Sequence, residues 1–272
     1  MLASRGAART GARADESAAD RAPHRIRSMA RFKWPHEINY RWPWQWGHGG
    51  GMLWFSATAH PAMYLPSAFR EDSLEVQHDF IRAHPLGVLT TAGEGGLMAN
   101  HIPCLLYPEG PCGVLRLHVA RANPQLAELA SGRECLVVFH GPQAYVSPSW
   151  YPTKAETHKV VPTWNFVAVH AWGAPVIQDD PAWLRAQLDA LTDSQEKGRA
   201  QPWRVDEAPA DFIAAQMRAI IGVEIRLARI EGKWKVSQNR PVADRRGVAE
   251  GLANERGDAV MAGLVARRGG LE

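Results

Sequence analysis

Cysteine is scarce in this chain of 272 residues: Cys104, Cys112 and Cys135 are an odd set with no C-x-x-C pair. A disulfide framework and a cysteine-based zinc site are thereby disfavoured, and buried free thiols in a reducing cytoplasm are expected. No run reaches the roughly 18 consecutive apolar residues of a membrane helix. Walker A, G-x-S-x-G and G-x-G-x-x-G-then-helix signatures are missing, so nucleotide-triphosphatase, α/β-hydrolase and dinucleotide-fold readings have no motif behind them. No histidine pair stands at ligand spacing with carboxylates, and no metal site is expected. A basic excess in the body is also lacking. The net charge is +3, but residues 1–62 hold nine Lys/Arg against four Asp/Glu, which leaves 22 against 24 for the remainder. Composition therefore offers no support for a duplex-DNA-binding face.

What is present divides at about Met63. Residues 1–30 are rich in Ala, Arg and Ser with few large apolar side chains, a composition that cannot bury a core. Residues 31–62 carry five of the eleven tryptophans, interrupted by Pro and Gly without helical or strand period. The expectation is a disordered N-terminal extension over 1–62 and one folded domain over 63–267.

Within that domain, Asp72 to Glu75 has capping-box character and predicts a short helix ending near His84, before Pro85. "LGVLTT" (86–91), "LMANHIPCLLY" (97–107) and "VLRLHV" (114–119) read as a three-stranded meander with Gly-rich turns. Asn123 and Pro124 open a short helix to residue 130, closed by Gly132. "ECLVVFHG" and "AYVS" read as strands four and five, and 160–177 as a long sixth. Two helices follow, one capped by Asp180 with Trp183, Leu184, Leu188 and Leu191 on one face, one over 209–220. In "GVEIRLARI", Val223, Ile225 and Leu227 alternate inward. A helix is expected within 242–267. Antiparallel strands with tight turns and few crossovers predict a mainly β domain with added α-helices, a closed or split β-barrel with C-terminal helices.

Three blocks could carry chemistry. His118, Arg121 and Asn123 stand where a strand enters a helix, whose first amides and dipole attract an anion; a capped surface helix with a solvated arginine is the plain alternative. "SPSWYPTKAETHKVVPTWN" (147–165) mixes Trp150, Tyr151 and Trp164 with Lys154 and Lys159, which could stack a planar heterocycle or simply form a loop packed on the body. "EGKWKVSQNRP" (231–241) sets Ser237, Gln238, Asn239 and Arg240 directly after a strand, as donors to a ligand or as a polar turn. Asn100 and His101 sit inside a strand, where a lone histidine is more often structural.

"MYLPSAF", "HVARANPQ", "GPQAYVSPSWYPTK", "KVVPTWN" and "EGKWKVSQNRP", in this order over about 63–265, resemble the PaiB-type FMN-binding negative transcriptional regulators. The resemblance implies a split β-barrel of the pyridoxamine-phosphate-oxidase type and a homodimer with FMN in a groove at the subunit interface. By that analogy His118, Arg121, Asn123 and Gln125 would meet the flavin phosphate. Asn100 and His101 would run beside the ring or ribityl chain. Lys154 and the segment Lys235 to Arg240, with Ser237, Gln238 and Asn239, would close the site from its own or the other subunit. Two outputs stay open: a negative transcriptional regulator, with no helix-turn-helix pattern to support direct DNA contact, and an FMN-dependent oxidoreductase or flavin reductase of unknown substrate, with no identifiable catalytic residue.

Overall fold

The cap of the first helix is Ser73, one residue after the Asp72 that the capping-box spacing to Glu75 implies. Its Oγ accepts from the Val76 amide at 3.4 Å, and α1 (Leu74–Ala83) stops before Pro85. The computed structural model describes residues 63–271; the expected extension over 1–62 lies outside the described residues. Before α1, the pair Arg70–Glu71 forms β1. After it come β2 (Leu86–Gly93), β3 (Gly96–Pro103), β4 (Leu105–Tyr107) and β5 (Val114–Ala120), then α2 (Leu126–Ala130) and β6 (Cys135–Val146). A short α3 (Thr153–Thr157) leads to β7 (Thr163–Gln178). Next are α4 (Pro181–Glu196), α5 (Ala210–Arg218), β8 (Ile220–Lys235), α6 (Val242–Asn254) and α7 (Ala259–Gly269).

All strand pairs are antiparallel, in the order β3-β2-β6-β7-β8-β5-β4, with β1 added on β8. The inward side chains of the strands next to the two ends of this order, Leu89 on β2 and Leu117 on β5, share one buried core with Phe139, Val169 and Ile225 from the strands between. A flat sheet could not bring these together, so the sheet curls on itself. No ladder joins β3 to β5, and the barrel is split there. Val223, Ile225 and Leu227 face the interior as their alternation predicts.

Three departures from the expected elements have local causes. The predicted second strand breaks at Cys104, because Pro103 has no amide to continue the ladder and the Cys104 amide turns to Pro85 O at 2.9 Å. The predicted meander survives in modified form: β3 pairs with β2, and β4 pairs with β5. Predicted strands four and five are one strand, β6, whose register shifts between His140 and Gln143 around Gly141 and Pro142. The C-terminal helix is two, separated at Gly257 (φ +67°) and restarted by Asp258, whose Oδ1 accepts from the Met261 amide at 2.9 Å.

Two of the three thiols are buried as their apolar contexts suggest, and Cys112 is only half-buried. Cys104 and Cys135 are buried, and burial pushes both up to about 12. Thiolate chemistry at neutral pH is therefore suppressed at both. Among the described residues no helix is long and apolar enough to cross a membrane.

Candidate functional site

The block "HVARANPQ" ends β5 and begins α2, but its side chains are already engaged. His118 Nδ1 lies 2.9 Å from Gln187 Oε1 on α4. Arg121 forms an ion pair with Asp179, which holds that carboxyl below its usual range through hydrogen bonding and then charge. Arg121 lines a cavity of about 300 Å³ together with Asp179, Asp180 and Arg218, so cations and carboxylates balance there. Asn123 Oδ1 accepts from the Gln125 amide at 3.0 Å, stabilising the turn.

Gln125 is fully buried and acts as a latch. Its Nε2 donates to Leu89 O at 3.0 Å, Thr91 Oγ1 at 3.2 Å and Met98 O at 3.3 Å, and its Oε1 accepts from Asn100 Nδ2 at 2.9 Å. Both polar atoms are thus spent on tying α2 to β2 and β3. Asn100 faces this latch, whereas His101, on the opposite face of β3, is exposed.

The other two blocks converge where β7 begins and β8 ends. Phe166 pairs with Lys235 in the ladder. Lys235 Nζ donates to Thr163 Oγ1 at 2.6 Å and to Trp164 O. Past β8, Ser237 takes a left-handed φ of +69° and exchanges hydrogen bonds with buried Asn165 at 3.0 and 3.2 Å. Gln238 closes the turn locally: its Oε1 accepts from the Val236 amide at 2.8 Å and its Nε2 donates to Trp234 O. Asn239 is exposed. Thr163, Asn165, Lys235, Ser237, Asn239 and Arg240 line, with Phe69, a cavity of about 120 Å³. Arg240 lies over the Tyr151 ring at 4.8 Å, which connects this cavity to the "SPSWYPTK" segment. Lys154 lies on the far side of that segment, with its Nζ 3.4 Å from Ser149 Oγ, in a separate open groove against α6.

The seat of this segment is legible in α6. Gly247 and Gly251 stand four apart on one helical face, and Trp150 lies directly on them: a Cβ at Gly247 would strike the Trp150 carbonyl oxygen, and one at Gly251 its indole.

Sequence reasoning missed the outer face of β6, β7 and β8. There Phe166, His170 and Trp172 alternate on β7 opposite Lys235, Glu231 and Arg229 on β8. The His140 and Phe166 rings stack at 6.5 Å, and Lys233 Nζ stands 5.5 Å from the Phe166 centroid and 5.3 Å from that of Tyr64. Lys233 is buried and donates to Tyr64 O at 2.6 Å. Burial lowers its pKa; burial and then the neighbouring cations Lys233 and Arg240 lower that of Lys235. His170 is likewise lowered, chiefly by burial. The available signal was the period-two alternation of aromatic and cationic residues on both strands, which the search for contiguous motifs passes over.

The "HVARANPQ" corner and the "KVSQNRP" turn lie at opposite ends of β8. Ala120 pairs with Ile220 at its start, and Lys235 ends it 15 residues on, roughly 50 Å of strand contour. One chain therefore does not bring all the expected site residues together.

FMN consists of a planar ring, a polyol and a phosphate dianion. The residues at the β7–β8 end fit that group: flat rings, amide and hydroxyl side chains, and two cations with no carboxylate lining their cavity. An incompletely closed antiparallel barrel with such a face defines a split-barrel flavin-binding protein. A protein-family model described as "Putative FMN-binding domain" matches residues 63–229. "Uncharacterized protein AN0679" of Emericella nidulans is 35% identical over 77% of this chain and 99% of its own length. "Protease synthase and sporulation protein PAI 2" of Bacillus subtilis is 31% identical over 71% of this chain and 90% of its own. Among solved structures, the FAD and heme binding protein of Mycobacterium smegmatis aligns with a TM-score of 0.47 and 19% identity, covering 61% of this chain and 73% of that one. The chain belongs to the FMN-binding split-barrel family of the PaiB type.

Proposed function

We propose that this protein is a homodimeric FMN-binding regulator of the PaiB type, holding its flavin against the outer face of β6–β8 and exerting its effect without reading DNA bases itself. The observation that carries the reading is the run of aromatic and cationic side chains on that face, Phe166, His170, Lys233 and Lys235, ending in the Arg240 cavity. FMN supplies reversible redox chemistry when bound; the chain's part is to bind and orient it.

Dimerisation is supported by β3, an edge strand with no buried residue on either face and with Leu97 80% exposed. It is also supported by the separation of the "HVARANPQ" corner from the "KVSQNRP" turn, which a second subunit could shorten. The B. subtilis relative's name refers to protease synthesis and sporulation, processes rather than a substrate, which favours a regulatory output. Helices α6 and α7 are joined by residues 255–258, a spacing compatible with a helix-turn-helix. The exposed start of α7, however, offers Ala259 and Val260, which carry no hydrogen-bonding side chain for a base edge.

A gel-shift titration of the flavin-loaded protein across salt concentrations tests this reading. The expected affinity is non-specific, roughly 10⁻⁴–10⁻⁶ M and steeply salt-dependent. A site bound orders of magnitude more tightly than scrambled DNA would make this protein a direct repressor and defeat the indirect reading.

A further inference from the structure

We propose that the groove between α3 and α6 binds a short peptide, holding its amino end against Glu250 and Glu255 and its carboxyl end against Lys154. The groove shares no residue with the outer face of β6–β8, so the proposal does not depend on the FMN reading.

The charges that line the groove carry the proposal. Lys154 comes from α3 on one side, and Glu250 and Glu255 come from the end of α6 on the other. All three are exposed, and among the described residues none of them forms an ion pair. Lys154 Nζ has only the Ser149 hydroxyl, at 3.4 Å. Glu250 and Asn254 stand four apart on α6, next to Gly247 and Gly251, so helical spacing sets a carboxylate and an amide along the rim of the seat that holds Trp150. The C-terminal end of a helix is its negative end, which favours an ammonium beside Glu255. Opposite charges on the two sides of one groove, unpaired with each other, suit a ligand that carries both an ammonium and a carboxylate.

A second, independent observation comes from Trp150. It lines the groove, is 8% exposed, and its Nε1 has no acceptor among the described residues. A buried N–H without a partner is rare and costly, and a peptide carbonyl is the acceptor it lacks. Ser149 and Asn254 supply a hydroxyl and an amide for the remaining backbone groups of such a ligand. Size separates a peptide from an amino acid. The groove holds about 660 Å³, within the roughly 300–1,000 Å³ of pockets for drug-sized molecules. A single amino acid carries both charges on one carbon and would leave most of that space unfilled. A phosphate or a dicarboxylate would meet Glu250 and Glu255, and a diamine would meet Lys154.

The test titrates purified full-length protein calorimetrically with trialanine, alanine, N-acetyltrialanine and trialanine amide. It does so for the wild type, Lys154→Gln and the double variant Glu250→Gln/Glu255→Gln. These side chains are exposed, and unchanged thermal unfolding confirms the fold of each variant. The capped peptides probe the same contacts on the wild type without any substitution. Trialanine should bind once per subunit, at least about tenfold more tightly than alanine. Blocking either end should cost about tenfold or more, the scale of one charge-assisted hydrogen bond. Lys154→Gln should weaken trialanine by a similar factor and leave the affinity for trialanine amide at its wild-type value. The double carboxylate variant should do the same with N-acetyltrialanine as the indifferent ligand. No binding of trialanine at millimolar concentration overturns the proposal. So does an affinity indifferent to both caps, alanine bound as tightly as trialanine, or an equal loss for every ligand in the variants.

Discussion

Gly247→Ala is expected to destabilise this protein by about 2 kcal/mol, although the same change in an ordinary helix stabilises by about 1 kcal/mol. The sign is set by what lies beneath the helix. A Cβ at position 247 of α6 would fall on the backbone oxygen of Trp150, an atom with no rotamer to escape through. Either α6 lifts or the 148–151 turn shifts, and both loosen Trp150, which is buried against the same helix. Gly263 on α7 provides the control. Its nearest neighbour is the end of the flexible Arg267 side chain at 3.1 Å, so Gly263→Ala should be neutral or stabilise by up to about 1 kcal/mol. Urea unfolding of the two variants checks the pair, read as midpoints at constant slope. Gly247→Ala at or above wild-type stability would show that the helix tolerates displacement. Because Tyr151 carries Arg240 on its ring, the same variant should also weaken flavin binding without touching a ligand-facing residue.

Gln125→Leu is expected to cost at least about 3 kcal/mol, the larger of the two effects. The substitution keeps the buried volume and removes a side chain that satisfies Leu89 O, Thr91 Oγ1, Met98 O and the Asn100 amide together. Each buried group left without a partner costs about 1–3 kcal/mol, and only those near the split edge can recover water. Thermal unfolding of the flavin-free protein separates a latch from a ligand. If Gln125 holds α2 to the β2–β3 hairpin, Tm falls without any flavin present. If it serves the phosphate, Tm of the flavin-free protein stays at the wild-type value and only flavin affinity declines.

Much of the barrel was legible because its strands alternate. Val223, Ile225 and Leu227 announce an inward face, and the Gly-rich turns around 93–96 and 110–113 bound the hairpins. The strand order was not, since no local pattern says that β5 pairs with β8, more than a hundred residues later. The break at Cys104 was readable in principle from Pro103, but its partner, Pro85 O, is a tertiary contact. The same limit governs the site. "KVSQNRP" and "SPSWYPTK" stood out as polar and aromatic runs, and the fold brings them together through Arg240 and Tyr151. "HVARANPQ" carries the residue types of an anion site, and in the fold they also contact Gln187, Asp179 and the β2–β3 hairpin. Composition could not reveal that Asp179 sits opposite Arg121. Nor could contiguous motifs reveal His140, Phe166, His170 and Lys233, which come from three strands and meet only across the ladder.

The flavin content of the purified protein tests the central claim most directly. Full-length protein, purified and reconstituted with excess FMN, is passed through a desalting column, and the retained flavin is released by heat and identified. The expected result is a yellow protein retaining close to one FMN per subunit. A colourless protein that keeps no flavin would contradict the claim.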